Sequence, residues 1–333
     1  MGRGIAIAFA YAGHRIALVD LRLRTPEAWQ ALRDEAQREI SNSLGALAAL
    51  GALKPEDVPP IAARIELVDA AHAPDVLAQA ELVFEGVPET LQAKRDSFEQ
   101  LNRHCDDAAI LTSTTSSILV TQLVDLVRRP ERFFNMHWLN PAYLIPVVEL
   151  STHPGTDAAV VARTRVIMES IGKLPVVCGV APGYIVPRLQ ALMMNEAARM
   201  VEEGVASAEE IDKATRFGLG LRFAALGVVE FIDFGGADIL HHASREMAGS
   251  IDPARYTAPA VIGQMMAENR LGLKTGSGFY DYSGRDVSAY RQDVLARSGA
   301  RTQAQPTTPP FSQVGQCFAR VFHLLKNFCR VLH

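Results

Sequence analysis

Short apolar runs alternate with longer amphipathic stretches through the first 180 residues, and this alternation restricts the fold more than any other feature of the sequence. The apolar runs predict buried strands, and the stretches between them predict helices. Because the strands are apolar along their whole length, both of their faces should be covered, which is typical of a mostly parallel sheet. We therefore predict an α/β fold, a doubly wound sheet with helices on both sides.

The predicted strands and helices of this first part are closely spaced. The strands are Arg15–Asp20, Ile65–Val68, Glu81–Val87, Ala109–Thr112, Phe133–Trp138, Val147–Leu150 and Leu174–Val180. The helices are Pro26–Leu50, Glu89–Cys105 and Asp157–Ile171. Strand, helix and strand follow one another as in the βαβ units of a parallel sheet.

The pattern changes near residue 181, at the turn sequence Ala181-Pro182-Gly183. The sequence that follows is helical in pattern, with predicted helices at Arg188–Glu203, from Ser207 onward and at Val229–Ala248. From about residue 300 the chain becomes polar and proline-rich, and a last amphipathic stretch follows at Val314–Leu332. We predict an α/β domain at 1–180, a helical domain at 181–290, and a linker with an amphipathic tail at 291–333.

Composition excludes several classes of protein. Lysine and arginine number 33 against 37 aspartate and glutamate residues, so the formal net charge of −4 gives no basic excess for a nucleic acid or an anionic membrane. No apolar run reaches the roughly 18 residues of a spanning helix. Four cysteines form neither a C-x-x-C pair nor a metal-binding spacing. We expect reduced thiols in a cytoplasmic protein, no metal site and no stable membrane association.

The opening residues match the second half of a dinucleotide-binding unit. Gly2 precedes a small-residue stretch of helical character, and the strand after it ends in Asp20. In such units the helix N-terminus receives the pyrophosphate, and the acidic residue bonds the ribose hydroxyls. The first strand and the first two glycines of G-x-G-x-x-G do not precede Gly2. A helix that merely begins with small residues is the alternative interpretation.

Seven segments in order resemble the L-3-hydroxyacyl-CoA dehydrogenase family: MGRGIAIAFAYAGHRIALVD, VPETLQAKRDSFEQL, TSTTSSILVTQL, NMHWLNP, VVEL, PGYIVPR and LGLKTGSGFYDY. The resemblance covers about Met1–Tyr282. It implies a Rossmann-type NAD-binding domain, a helical domain through which two copies pair as a homodimer, and NAD-dependent oxidation of a 3-hydroxyacyl-CoA such as 3-hydroxybutyryl-CoA. It also implies that Gly2 is the third loop glycine and that the coding sequence begins upstream of Met1.

His137 and Glu149 are the candidate catalytic pair. Oxidation of a secondary alcohol needs a group that accepts the hydroxyl proton, and a histidine suits this task at neutral pH. A carboxylate on the other ring nitrogen fixes the tautomer and raises the basicity. The resemblance assigns these two roles to His137 and Glu149. By itself, a histidine in an apolar strand is more often a core residue with satisfied hydrogen bonds.

The resemblance also implies roles for further residues near strand ends. Ser116 would bond the substrate oxygen that becomes the ketone, and Ser43 would contact CoA. Besides Gly2 and Asp20, the residues matching NAD contacts are Glu89, Lys94, Asn140 and Lys274. Each has an alternative interpretation from its own context: a helix N-cap for Ser116, a helix-start charge pair for Glu89 and Lys94, and a solvated loop lysine for Lys274.

The chain departs from the acyl-CoA pattern at two positions. Pro187 stands where the family carries asparagine in PGFIVNR, and a proline cannot replace an amide as a hydrogen-bond donor. Leu50 stands at the position of the CoA-contacting lysine. The segment Trp138–Pro146 also resembles relatives that oxidise free hydroxy acids, the gulonate and carnitine dehydrogenases. A free 3-hydroxy acid is therefore the second substrate hypothesis, and a non-catalytic binding or structural protein is the third.

Overall fold

Seven short strands form within residues 1–303, the part of the chain that this computed structural model describes. They are β1 (Ile16–Val19), β2 (Ile65–Val68), β3 (Leu82–Glu85), β4 (Ile110–Ser113), β5 (Phe133–Trp138), β6 (Val147–Ser151) and β7 (Leu174–Cys178). Each lies within two residues of its predicted bounds, so the strand predictions are confirmed.

The strands form two hydrogen-bonded sheets. β1 pairs with β2 in parallel, and the second sheet has the order β3-β4-β5-β6-β7. All neighbours in the second sheet run parallel except β5 and β6, which are antiparallel. Only residues 139–146 join β5 to β6, which is too short a connection for the crossover that a parallel pair needs. The mostly parallel, doubly wound sheet is confirmed.

Helices separate the strands along the first part of the chain. They are α1 (Gly2–Tyr11), α2 (Pro26–Ala49), α3 (Val58–Ala62), α4 (Ala73–Leu77), α5 (Leu91–His104), α6 (Val120–Leu123) and α7 (Ala158–Ser170). Three of them begin at capping residues, because the side chains of Thr25, Thr90 and Asp157 accept N–H groups of the first turn.

α1 is buried on most of its surface. Ile5, Ala8 and Phe9 pack with Phe134 and Trp138 of β5 in one hydrophobic cluster. The opposite side of the same helix joins a second cluster that includes α2, with members Ala6, Ile7, Ala10, Ile40 and Leu44. A helix that is apolar all round belongs in an interior, and α1 is accordingly fixed between the sheet and α2.

The chain divides into two compact units, the first running from Met1 to Asn195 and the second beginning at Glu196. The remaining helices are α8 (Val186–Glu202), α9 (Ala208–Lys213), a π-helical segment (Ala214–Gly220), α10 (Leu221–Ala225), α11 (Val228–Gly235), α12 (Ala237–Ser250), α13 (Pro253–Tyr256), α14 (Ala260–Ala267) and α15 (Val287–Gln303). None of the helices in residues 1–303 combines the length and apolar character that crossing a membrane requires.

Two expectations for the second unit are corrected. The single helix predicted at Val229–Ala248 is two helices, because Gly236 has a φ of 112° and interrupts the helical backbone between α11 and α12. The linker predicted from residue 291 is wrong for residues 291–303, since α15 continues to Gln303 and its residue Val294 is buried. The tail helix predicted at Val314–Leu332 lies outside the described residues.

Candidate active site

The first turn of α1 lies against the carboxyl ends of two strands and the loop after a third. A Cβ atom added to Gly86, just after β3, would lie 3.6 Å from the hydroxyl oxygen of Thr114 and 3.9 Å from the backbone nitrogen of Gly2. A Cβ on Gly4 would lie 3.1 Å from the Cβ of Ala142, in the loop after β5. A side chain at position 4 would therefore require Ala142 to shift by a few tenths of an ångström. In sheets of this kind, ligands bind at the carboxyl ends of the strands.

The N-terminus of α1 presents backbone donors. The first bond within the helix runs from the N–H of Ile5 to the carbonyl of Met1, at 3.1 Å, so the N–H groups of residues 2–4 have no acceptor inside the helix. The guanidinium of Arg3 is turned to α2, where it pairs with Glu35 at 2.9 Å. Free N–H groups at the positive end of a helix are a binding site for phosphate oxygens.

Asp20 follows β1 on the same edge. Its carboxylate accepts the backbone N–H of Arg22 at 3.2 Å and forms an ion pair with Arg24. Leu18, two residues earlier, lies 3.3 Å from the position of a Cβ on Gly2, so the end of β1 and the start of α1 are neighbours. Donors for a pyrophosphate beside an acceptor for ribose hydroxyls are what a dinucleotide needs, and the residues present fit NAD.

His137 and Glu149 face each other across the antiparallel pair of strands. They are direct partners in the register of β5 and β6, and Nδ1 of His137 lies 2.9 Å from Oε2 of Glu149. Both side chains are buried. Because a carboxylate can only accept, Nδ1 carries the proton and Nε2 is left as the basic nitrogen.

The second oxygen of Glu149 is also occupied. Oε1 accepts the backbone N–H groups of Ile185 and Val186 at 2.9 and 2.8 Å. These bonds hold the carboxylate in one orientation at the start of α8. Both oxygens of this buried carboxylate therefore have hydrogen-bond donors, as a buried charged group requires.

Ser116 lies exposed in the loop after β4, and Glu89 holds that loop. A single oxygen of Glu89, Oε1, accepts the N–H groups of Ser116 and Ser117 at 2.8 and 2.9 Å and the hydroxyl of Thr115 at 2.5 Å. Burial by itself raises the pKa of this carboxyl, but the bonds from Thr115 and Ser117 and the charge of Lys94 outweigh it and lower the pKa to about 2. Glu89 is consequently ionised at neutral pH and fixes the backbone beside Ser116.

Lys94 is buried beneath the same loop. Its Nζ donates to Oε1 of Glu85 at 2.9 Å and to the carbonyl of Val87 at 3.4 Å, and it lies 3.6 Å from Glu89. The other oxygen of Glu85 accepts the hydroxyl of Ser113 at 2.7 Å. The ammonium thus links the carboxyl end of β3 to the beginning of α5.

Asn140 is exposed in the loop that joins β5 to β6, and its peptide bond to Pro141 is cis. Lys173 supports this loop from below, donating to the carbonyls of Ala142 and Ile145 at 2.6 and 2.9 Å. Burial lowers the pKa of Lys173 to about 8.

The other predicted residues lie elsewhere. Ser43 is a half-buried residue within α2, and Leu50 is the residue that ends that helix. Pro187 is the second residue of α8, where a proline is tolerated because the first-turn N–H groups have no helical acceptor. Lys274 belongs to the second unit, where its ammonium pairs with Asp238 at 2.8 Å.

The structure tests two of the alternative interpretations given above. Ser116 is not a helix cap, because α6 begins at Val120 and Leu119 occupies the cap position. Glu89 and Lys94 do form a charge pair, at 3.6 Å, but it is part of the larger network beneath the loop.

Three functional candidates were missed by the sequence analysis: Glu85, Lys173 and Tyr184. Glu85 had a signal, an acidic residue within an apolar strand nine positions before Lys94. Lys173 and Tyr184 had none, since a lysine before a strand and a tyrosine in a turn are ordinary. Tyr184 stacks on His137, with ring centroids 4.6 Å apart and planes 8° from parallel.

Metal ligation has no support in the described part of the chain. Across residues 1–303, no three His, Cys, Asp or Glu side chains come together in a way that suits a metal ion.

Comparison with known proteins gives concordant results over both units. The NAD-binding domain of 3-hydroxyacyl-CoA dehydrogenase matches residues 1–181, and the C-terminal domain of the same family matches residues 183–282. The 5-formyl-3-hydroxy-2-methylpyridine 4-carboxylate 5-dehydrogenase of Mesorhizobium japonicum is 30% identical over 295 residues, which is 88% of this chain and 91% of the relative.

Two further proteins are similar over comparable lengths. The 3-hydroxybutyryl-CoA dehydrogenase of Clostridioides difficile is 30% identical over 287 residues, covering 85% of this chain and 96% of the relative. The crystal structure of a 3-hydroxyacyl-CoA dehydrogenase from Archaeoglobus fulgidus superimposes with a TM-score of 0.70 at 28% identity, covering 91% of this chain and 94% of that one. With both domains matched in order, the chain belongs to the 3-hydroxyacyl-CoA dehydrogenase family of NAD-dependent oxidoreductases.

Proposed function

We propose that the chain oxidises an L-3-hydroxyacyl-CoA, such as 3-hydroxybutyryl-CoA, to the 3-oxoacyl-CoA, and that it catalyses the reverse reduction. The observation that carries this proposal is the buried His137–Glu149 pair, at 2.9 Å, in the sheet whose strand ends also carry the Ser116 loop. When bound, NAD accepts the hydride from the carbon that bears the hydroxyl group. The chain's own side chains accept the hydroxyl proton and bond the substrate oxygen.

His137 is proposed as the general base. Its Nδ1 proton is engaged by Glu149, so the hydroxyl proton of the substrate transfers to Nε2. The imidazolium that results is stabilised by the adjacent carboxylate. In the reverse direction the same nitrogen returns the proton to the developing alkoxide.

Ser116 is proposed to bond the substrate oxygen. Its side chain is exposed in the loop after β4, and its backbone N–H is held by Glu89 at 2.8 Å. A hydroxyl presented from a fixed backbone can donate to the oxygen as its charge changes, at little cost in reorganisation.

Gly2 and Asp20 are proposed to hold the pyrophosphate and the adenine ribose of NAD, and Glu89, Lys94, Asn140 and Lys274 to contact the cofactor. The N-terminal donors of α1 and the carboxylate of Asp20 support the first part. For Lys94, which is 1% exposed, the support is indirect, because its ammonium acts through Glu85 and the loop around Glu89.

The acyl-CoA substrate is supported by relatives whose names state that they act on 3-hydroxybutyryl-CoA and 3-hydroxyadipyl-CoA. Ser43 is the residue retained from the CoA-contact positions. A free acid is the second candidate, because Pro187 and Leu50 depart from the acyl-CoA pattern and one relative is named for a pyridine carboxylate.

The substrate class can be decided by absorbance at 340 nm. The protein is mixed with NAD and either 3-hydroxybutyryl-CoA or free 3-hydroxybutyrate, with His137→Gln as the matched inactive control. NADH formation with the thioester alone supports the proposal. Formation with the free acid alone establishes the second candidate. Absence of turnover with a wider panel of hydroxyacyl-CoA thioesters and hydroxy acids, together with absence of NAD binding, is the result expected of the third hypothesis, a non-catalytic binding or structural protein.

We also propose that residues 1–180 bind NAD while residues 181–290 serve substrate binding and homodimer formation. Several apolar side chains in and after α8 are exposed in the single chain: Leu192, Met194, Val205, Phe217 and Ile239. We propose that a second copy of the chain covers these side chains, since large exposed apolar areas mark interaction sites. Light scattering at micromolar concentration should give the mass of two chains, and a monomer would contradict the proposal.

A further inference from the structure

Tyr184 occupies an unusual backbone position between β7 and α8. Its φ is 48°, in the left-handed region that side chains other than asparagine and aspartate seldom adopt, and Gly183 before it is also positive at 75°. The side chain is nevertheless buried, at 7% exposure. A conformation of this kind persists only when surrounding contacts determine it, and such positions cluster at functional sites.

The ring of Tyr184 covers one face of the catalytic imidazole. The centroids of the Tyr184 and His137 rings are 4.6 Å apart, and the ring planes are 8° from parallel. Glu149 restrains the imidazole within its plane, by the bond to Nδ1 at 2.9 Å. The stacked ring restrains it against tilting out of that plane. Together the two contacts leave the imidazole a single orientation.

The hydroxyl of Tyr184 reaches a different part of the site. It donates to the carbonyl of Thr115 at 2.7 Å, immediately before Ser116 in the chain. It also accepts from the side-chain amide of Asn135 at 3.2 Å, and the same amide donates to the carbonyl of Ile118 at 2.9 Å. Burial raises the pKa of Tyr184 well above its usual range, so the hydroxyl remains a donor at all working pH values.

The two residues after Tyr184 complete the connection. The N–H groups of Ile185 and Val186 donate to Oε1 of Glu149 at 2.9 and 2.8 Å. One three-residue segment therefore contacts His137 by its ring, the Ser116 loop by its hydroxyl, and Glu149 by its backbone.

We infer that Tyr184 is a positioning residue for the oxidation, one that fixes the imidazole of His137 and the Ser116 loop in a single mutual arrangement. The inference rests on the proposed roles of His137 and Ser116. It divides the side chain into two functions: the ring sets the orientation of the base, and the hydroxyl sets the position of the loop that presents the serine.

Two substitutions separate these functions. Tyr184→Phe keeps the stacked ring and removes the hydroxyl, and Tyr184→Leu removes both. Tyr11→Phe is the matched control, because the Tyr11 hydroxyl also donates to a backbone carbonyl, that of Ala52 at 2.8 Å, in the same unit. All three variants and the wild type are compared by kcat and KM, by NAD affinity and by the nitrogen-15 NMR signals of His137, assigned from the spectrum of His137→Gln.

We expect kcat to fall about three- to tenfold in Tyr184→Phe, which is the effect of one hydrogen bond. In Tyr184→Leu it should fall about a hundredfold, the cost of a misplaced catalytic group. KM and NAD affinity should stay within about twofold, and Tyr11→Phe should match the wild type. Wild-type kcat in Tyr184→Leu would overturn the inference.

The NMR arm does not depend on turnover, so it separates failure of this inference from failure of the proposed function. In the wild type without substrate, His137 should give the signals of one tautomer, protonated at Nδ1. Tyr184→Phe should preserve this spectrum. In Tyr184→Leu the imidazole is free to tilt away from Glu149, so the bond that fixes the tautomer should be broken for part of the time and a second tautomer should appear. An unchanged His137 spectrum in Tyr184→Leu would overturn the role of the ring, even if no substrate had been found.

Discussion

The ammonium of Lys94 lies 2.9 Å from Oε1 of Glu85, and the two side chains are 1% and 0% exposed. A buried ion pair of this kind adds little over an apolar pair of the same shape, but removal of one partner strands a charge in the interior. The pair lies directly beneath the loop of Glu89 and Ser116, so its integrity and that of the candidate site are connected.

Lys94→Met should therefore lower the free energy of unfolding by about 3–5 kcal/mol, because Glu85 is left as an unpaired buried carboxylate. Urea denaturation measures the change. The double variant Glu85→Gln with Lys94→Met should recover a large part of the loss. Lys213→Met, which removes an exposed lysine from a surface ion pair, is the control and should change the stability far less, because solvent screens that pair. Equal stability of Lys94→Met and Lys213→Met would contradict the prediction.

His137→Gln and Glu149→Gln should each reduce kcat by about two to four orders of magnitude while leaving NAD affinity nearly unchanged. In Glu149→Gln, an amide nitrogen placed against Nδ1 would donate to it, so the imidazole proton would move to Nε2 and the base would be lost. Stopped-flow or steady-state absorbance at 340 nm gives kcat, and fluorescence titration gives the NAD affinity. Turnover close to wild type in either variant would remove that residue from the mechanism.

Lys173 should make the stability of the protein depend on pH between about 8 and 10. Burial lowers the pKa of Lys173 to about 8, whereas its ordinary value is 10.5. Between these values the unfolded chain binds the additional proton, so the contribution of Lys173 to the free energy of unfolding rises with pH. The stability advantage of the wild type over Lys173→Met should accordingly grow by about 2 kcal/mol from pH 8 to pH 10.

Urea titrations of the wild type and Lys173→Met at intervals of pH measure this difference. Lys213→Met, at an exposed lysine whose pKa is raised by Glu210 and Glu209, should show no such change over the same range. Parallel pH profiles for the wild type and Lys173→Met would mean that Lys173 keeps its proton when folded.

NAD should be used in preference to NADP by about tenfold or more, because the carboxylate of Asp20 would repel a 2′-phosphate and accept from a 2′-hydroxyl. Asp20→Asn should reduce this preference. The ion pair of Asp20 with Arg24 acts in the opposite sense, so Arg24→Gln should increase it. The ratio of kcat/KM for the two cofactors is the measurement, and equal values in the wild type would show that Arg22 and Arg24 dominate.

Local patterns predicted the strands well, since an apolar run bounded by turn residues is buried wherever it lies in the sheet. The contact between His137 and Glu149 could not be predicted from local patterns alone. Their strands were predictable, but the antiparallel register that brings the side chains together depends on the short connection between β5 and β6. The break at Gly236 was missed because apolar periodicity continues on both sides of it. A Cβ there would collide with the carboxylate of Asp238 and lie 2.7 Å from Nζ of Lys274, the ion-pair partner of Asp238, which is distant in sequence.

The supporting residues of the site were the least predictable. Their role is to form hydrogen bonds with buried polar groups, as Glu85, Lys173 and Tyr184 do. Those groups become buried only when loops from different strands come together. Lys173 is the clearest example, because its ammonium donates to two backbone carbonyls. Every residue has a carbonyl, so the sequence does not indicate which of them need a side-chain donor.

Gly4 and Ala142 are far apart in the chain but lie so close together that the size of the side chain at one position limits the size at the other. With 3.1 Å between the Cβ of Ala142 and the place where a Cβ on Gly4 would lie, even one added methyl group needs the neighbour to move. A larger side chain at either position would push the first turn of α1 away from the loop that carries Asn140. Random mutagenesis should therefore recover few functional variants at positions 4 and 142, and homologues that enlarge one of them should have adjusted the backbone at the other.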